Sequence, residues 1–87
     1  TECLAQAGEK AGLPPDLSRQ LAEHTVAGAG ELLHQADEPV SELRANVTSP
    51  GGTTAAALEI LMADGGWPDL MTQAVAAGAR RSKELAD

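Results

Sequence analysis

The sequence predicts an all-α fold of five helices, on three observations. Apolar residues recur at steps of three and four, which gathers them on one face of a helix with 3.6 residues per turn. No stretch alternates apolar and polar residues as a half-buried strand would. Proline and glycine cut the chain into helix-sized pieces, and alanine, the strongest helix former, makes up 17 of the 87 residues.

The first helix is predicted from Glu2 to about Ala11, with Leu4, Ala7 and Ala11 on one stripe and Gly12 as its stop. Leu13-Pro14-Pro15-Asp16 opens the second, which is expected to reach about Gln35. Its stripe of Leu17, Leu21, Thr25, Gly28 and Leu32 runs beside Ala22, Val26, Ala29 and Leu33. The Ala27–Gly30 segment is costly in an isolated helix, and its small side chains suit the close approach of another helix. Asp37-Glu38-Pro39 breaks this helix and opens a short third one, Pro39 to Ala45, with Val40 and Leu43 inward. The fourth is expected to follow an N-cap at Ser49, with Pro50 at its first position and Leu58, Leu61 and Met62 toward the core. Asp64-Gly65-Gly66 ends it, and Pro68 begins the fifth at its first position. There Met71, Val75, Gly78, Ser82 and Leu85 follow at heptad-like spacing.

Composition bounds what such a chain can do. At 87 residues it is one domain, near the size at which a single core is barely adequate. Alanine supplies little buried area and Trp67 is the only aromatic residue, so pairing with another copy is the expected remedy. The net charge of −7 argues against nucleic acid, whose phosphates require clustered Lys and Arg. Arg80, Arg81 and Lys83 do cluster, but in the last turns of the final helix, where cations offset the helix dipole. A single cysteine, Cys3, allows no internal disulfide and suits a reducing compartment. No secretory or membrane-spanning segment is evident, and the expected compartment is cytoplasmic. His24 and His34, about 15 Å apart along one helix, cannot share a metal. Asp37, Glu38 and Glu42 lack calcium-loop spacing and read as a solvated turn, so no metal site is expected.

The run from Asn46 to Leu58 carries more information about function than the rest of the chain. It reads as a helix start built to hold an anion. Gly51 and Gly52 are poor choices for a first helical turn, at up to ~1 kcal/mol each relative to Ala, which suggests that something must approach the backbone closely. The N–H groups of Gly51, Gly52 and Thr53, with the positive end of the dipole, would suit a carboxylate or phosphate. The hydroxyls of Thr53 and Thr54 stand beside it. The competing reading is a plain helix start with a flexible loop.

This run resembles the signature of pyrroline-5-carboxylate reductase, a family whose members carry Asn-Val-x-Ser-Pro-Gly-Gly-x-Thr, an apolar helix and then a Gly-Gly-aromatic break. Here those residues are Asn46, Val47, Ser49, Pro50, Gly51, Gly52 and Thr54, with the break at Gly65-Gly66-Trp67. Lys10-Ala11-Gly12-Leu13-Pro14 looks like the family's Gly-Leu-Pro helix junction, so the resemblance spans nearly the whole chain. It implies a C-terminal helical dimerisation domain, residues 1–87, interlocked with a partner subunit as a dimer or larger homo-oligomer. It also implies reduction of the cyclic imine 1-pyrroline-5-carboxylate to proline by NADPH or NADH. In that frame Ser49, Gly51, Gly52 and Thr53 would bind the substrate carboxylate. Thr54 would face the ring nitrogen as the catalytic hydroxyl, and Asn46 and Val47 would lie nearer the nicotinamide. Thr53 stands where some members have Ala or Met, and Thr48 where others have Ser or Cys; neither departure touches the backbone site.

The family's N-terminal nucleotide-binding domain is not found in this sequence. Ala27-Gly28-Ala29-Gly30 sits mid-helix and not after a strand, so it fails the context of a dinucleotide fingerprint. The expectation is therefore a piece of a larger enzyme, inactive alone. The competing possibilities are a stand-alone helical dimerisation module and a free-standing anion-binding module, neither with catalysis of its own.

Overall fold

Particular residues close the helix ends of this chain, and those closures define its elements. The computed structural model describes residues 1–86 and comprises α1 (Glu2–Lys10), α2 (Pro15–Gln35), α3 (Val40–Asn46), α4 (Thr53–Leu61) and α5 (Trp67–Ala86). Among the described residues there is no strand. The predicted all-α class and the order of five helices hold. The residues group into two compact units, Thr1–Val40 and the part from Ser41 onward.

In the first unit, α1 ends in a Schellman motif. The Gly12 N–H donates to the Glu9 carbonyl at 3.0 Å and the Leu13 N–H to the Gly8 carbonyl at 3.1 Å. Gly12 makes this possible at φ +111°, a conformation that side chains resist. Pro14 then caps α2 and Pro15 takes its first position, where a missing N–H costs nothing. The turn brings α2 back against α1, the one substantial helix–helix contact among the described residues.

That contact is made of small groups. Ser18 and Ala22, one turn apart on α2, are the buried residues among those described, each 2 % exposed. The Ser18 hydroxyl donates to the Ala5 carbonyl of α1 at 2.6 Å. Gly8 admits it, because a Cβ at Gly8 would overlap Ser18 Oγ. Around this point Leu4, Ala7, Leu13 and Leu21 line a shallow groove and stay largely exposed. Farther along α2, Val26, Leu32 and Leu33 are exposed as well. A Cβ added at Gly28 or Gly30 would meet nothing within 4 Å, so the close approach expected at Ala27–Gly30 is not made by this chain itself.

In the second unit two expectations need correction. Helix α4 does not start from an N-cap at Ser49; its N-cap is Gly52, and Thr53 is its first residue. Leu61 and Met62 do not face a core within the chain, for they are 38 % and 50 % exposed, while Leu58 is half-buried. Helical periodicity sets which face is apolar, but no helix of this unit packs on that face as α2 packs on α1.

The corner between α4 and α5 depends on two glycines with different duties. Gly65 adopts φ +76°. At Gly66 a Cβ would lie 2.6 Å from the Leu61 carbonyl oxygen and 2.7 Å from that of Ala63, so the chain can only pass there as glycine. Asp69 in the first turn of α5 accepts the Gly65 N–H at 2.6 Å, tying the corner to the next helix. Trp67 and not Pro68 is the first residue of α5. Along α5, Met71, Val75 and Leu85 are all exposed, and Arg81 meets Glu84 at 3.2 Å near its end.

The Ser18–Gly8 fit makes a coupled prediction. Gly8→Ala should destabilise the chain by about 1–3 kcal/mol through overpacking, and adding Ser18→Ala should recover part of that loss. Urea unfolding of the two single variants and the double variant would measure the coupling; strict additivity would show that the two side chains do not meet.

Candidate functional site

The predicted site residues lie on one continuous stretch of the second unit, from the last turn of α3 to the first turn of α4. Asn46 is the final residue of α3, and Val47 follows it, 64 % exposed. The end of α3 is sealed by the chain that leaves it. The Val47 N–H donates to the Arg44 carbonyl at 3.3 Å, and the Thr48 N–H to that of Ala45 at 3.1 Å. The Thr48 hydroxyl also donates to the Arg44 carbonyl.

Ser49 through Gly52 then form a β-turn. The Gly52 N–H donates to the Ser49 carbonyl at 2.9 Å. Proline fixes φ near −65° at the second position, and Gly51 takes φ +73° at the third, which together specify a type II turn. This is why α4 starts later than expected. Ser-Pro can be an N-cap followed by the first helical residue, but it can equally be the first half of a turn, and the positive φ of Gly51 selects the turn. Gly52 is held closely inside it, since an added Cβ would stand 3.1 Å from the Ser49 carbonyl oxygen. Both glycines therefore have a reason in the local backbone, whatever approaches them from outside.

The turn changes which N–H groups face outward. Gly52 donates its N–H to Ser49, where the sequence predicts a free donor. Gly52 is the N-cap, at φ −85° and ψ −179°, and its carbonyl accepts from the Ala56 N–H at 3.1 Å. The first three helical residues, Thr53, Thr54 and Ala55, consequently have no carbonyl one turn earlier to bond. No side chain caps them. Sequence reasoning missed Ala55 in this role because the helix frame was set three residues too early; the Pro-Gly pair was the signal for the turn. Thr53 is exposed and Thr54 half-buried, both on the first turn that carries these donors.

Electrostatics favour an anion here. The start of α4 carries the equivalent of about half a positive charge. Helices α1, α2, α3 and α5 each place an acidic residue in the first turn, Glu2, Asp16, Glu42 and Asp69 respectively, whereas α4 has none. Its positive end is not neutralised from within the helix. Among the described residues no three His, Cys, Asp or Glu side chains gather as a metal site, and no helix is long and apolar enough to cross a membrane.

Comparison with known proteins agrees with the motif. The sequence pattern of the family described as "Pyrroline-5-carboxylate reductase dimerisation" matches residues 1–85. The chain belongs to this family. A pyrroline-5-carboxylate reductase of Bacillus spizizenii is 43 % identical over 86 residues, covering 99 % of this chain and 29 % of the bacterial protein. The enzyme of Glycine max is 45 % identical over 84 residues, 97 % of this chain and 30 % of its own length. In three dimensions the chain superposes with a TM-score of 0.91 on Plasmodium falciparum pyrroline carboxylate reductase, solved with NADP bound. That match has 36 % identity and covers 99 % of this chain and 32 % of that one. The chain thus spans about a third of the length of the reductases it resembles.

The type II turn makes Gly51 the position most sensitive to a side chain. Gly51→Ala should cost about 1–2 kcal/mol, because an L-residue resists φ +73°, while Gly51→Asn should cost less. Thermal unfolding of the two variants would rank them; equal stability of Gly51→Ala and the parent chain would show that the turn is not type II.

Proposed function

We propose that this chain is the dimerisation and substrate-carboxylate portion of an NAD(P)H-dependent pyrroline-5-carboxylate reductase, acting in proline biosynthesis in the cytoplasm. The observation that carries the reading is the start of α4. Three unclaimed backbone N–H groups stand at a positive helix end with no acidic side chain of its own, on a turn that keeps them open. Family membership supplies the ligand class. The same turn in a reductase would meet the carboxylate of 1-pyrroline-5-carboxylate.

Reduction of the cyclic imine adds a hydride to its carbon and a proton to its nitrogen. In the proposed arrangement Ser49, Gly51, Gly52 and Thr53 form the carboxylate turn, with the Thr53, Thr54 and Ala55 N–H groups as its donors. Gly51 and Gly52 contribute the turn's shape, because neither presents a side chain to the substrate. The Thr54 hydroxyl holds the ring nitrogen in register and is the catalytic residue of this portion. Fixing the carboxylate at one end and the nitrogen at the other presents one face of the imine carbon for attack, which is catalysis by orientation.

A reduced nicotinamide cofactor, NADPH or NADH, supplies the hydride when bound. Toward it the chain offers Asn46, with an amide at the end of α3, and the exposed apolar side chain of Val47. These residues fit contact with a nicotinamide ring. No glycine-rich turn after a strand, the device that cradles a dinucleotide diphosphate, occurs among the described residues. On this reading the rest of the cofactor is held outside this chain, and the chain alone is inactive.

Self-association is the second half of the proposal. Leu32 and Leu33 on α2, Leu61 and Met62 at the end of α4 and Val75 on α5 are apolar and exposed, more than a monomer of this size would leave in water. A second copy covering these faces accounts for them. The same faces favour the module reading, in which the chain binds its copy and performs no chemistry. Analytical ultracentrifugation is expected to give a dimer or larger homo-oligomer at micromolar concentration, and a stable monomer would count against a role in assembly.

Imine-dependent NADPH oxidation separates enzyme from module. The longest protein that contains this sequence should oxidise NADPH only when 1-pyrroline-5-carboxylate is present. In that protein Thr54→Ala should lower kcat by about 100-fold with little change in Tm, as expected for loss of a group that orients the reacting atom. Wild-type kinetics in the variant would remove Thr54 from the mechanism. A well-folded long protein without activity would leave the module.

A further inference from the structure

The chemistry proposed above needs two things held in register, the end of α3 with Asn46 and Val47, and the carboxylate turn that follows. Only Thr48 lies between them. We infer that Thr48 is the positioning residue of this site, and that its hydroxyl sets the carboxylate turn relative to α3. This inference rests on the reductase reading.

The last turn of a helix leaves carbonyls without partners, and the chain that follows is free to swing unless something satisfies them. Here Thr48 bonds two of them, sharing the Arg44 carbonyl with the Val47 N–H. Its backbone N–H takes the Ala45 carbonyl at 3.1 Å, and its side-chain Oγ1 takes that of Arg44. Thr48 is half-buried, whereas Asn46, Val47, Ser49 and Pro50 around it are all exposed. It is thus the one residue of the connection that is anchored through its side chain. The next residue, Ser49, opens the turn whose closing bond is Gly52 N–H to Ser49 carbonyl. The turn therefore begins directly after a residue held to α3 by both its backbone and its side chain. Remove the hydroxyl, and Thr48 keeps one backbone bond while the turn gains freedom to rotate about the residues before it. Thr48 touches no reacting atom in this arrangement; it acts through the position of Ser49 and the start of α4.

A positioning role has a kinetic signature that a purely structural role lacks. The test uses the long protein containing this sequence, with Thr48→Val, Thr48→Ala and Thr48→Ser assayed for imine-dependent NADPH oxidation. Thr48→Val removes the hydroxyl at nearly constant volume, and Thr48→Ser keeps it. The expected result is a fall of about five- to tenfold in kcat/KM for the imine in the Val and Ala variants, the scale of one lost hydrogen bond. KM for NADPH should stay unchanged, since the α3 side does not move, and Thr48→Ser should recover most of the loss. Unchanged imine kinetics in Thr48→Val and Thr48→Ala would overturn the inference. So would an equal loss in Thr48→Ser, or a parallel rise of both KM values together with a lower Tm. Thr48→Ala serves if the β-branched variant folds poorly. A parent protein that folds but does not reduce the imine would instead overturn the reductase reading, and Thr48 would lose its role with it.

Discussion

The constraint behind this structure is that its helices carry apolar faces the chain does not cover. Alanine dominates the apolar residues, and where α1 meets α2 the buried groups are a serine and an alanine. Hydrophobic stabilisation scales with apolar area removed from water, at roughly 25 cal/mol per Å², so a contact built from Ser18, Ala22, Gly8 and Ala5 contributes little by that route. What it provides is closeness. A hydroxyl can reach a backbone carbonyl of the neighbouring helix only because Gly8 has no side chain to hold the helices apart. Most of the larger apolar residues of both units, from Leu4 to Leu85, then remain available at the surface.

With so little core, the backbone corners decide the local geometry. Gly12 with Leu13 and Pro14 turns the chain between α1 and α2. The Ser49–Gly52 turn connects α3 to α4. Gly65 and Gly66, fastened by Asp69, connect α4 to α5. Each corner is closed by backbone hydrogen bonds and by glycines that no other residue could replace without strain or collision. A site that must keep its shape is well placed on such a corner, since its geometry does not depend on distant packing.

Much of this was legible in the sequence, and the exceptions have physical causes. The five helices follow from apolar steps of three and four and from Gly12, Pro15, Pro39 and Gly65 as punctuation. Those signals are local, and the ends of α2 came out as expected. The start of α4 did not, because Ser49-Pro50 fits two backbone patterns and only the conformation of Gly51 separates them. The bond from Gly65 to Asp69 was not foreseen either, since Asp69 as the third residue of a helix reads equally well as a dipole charge with no specific partner. Leu61 and Met62 show a different limit. Periodicity identifies their face, but whether that face meets this chain or another copy is not a property of the helix that bears it. The motif pointed to this stretch as the candidate site, and the turn takes the Gly52 N–H out of the expected donors while adding those of Thr54 and Ala55.

The absence of an acidic residue from the first turn of α4 bears on what the proposed site can do. A carboxylate at a helix start gains about 0.3–1 kcal/mol in exposed positions and up to about 2 when partly buried. The first turn of α4 is partly exposed, with Thr53 open and Thr54 and Ala55 half-buried, so the dipole alone cannot give tight binding. By the usual conversion, 1.4 kcal/mol is a factor of ten in affinity. An anion held there by the helix end would therefore exchange readily. Such a site suits orientation more than capture. Orientation then has to come from groups of fixed direction, the N–H bonds of Thr53, Thr54 and Ala55 and the hydroxyl of Thr54, and from covering surfaces that exclude water.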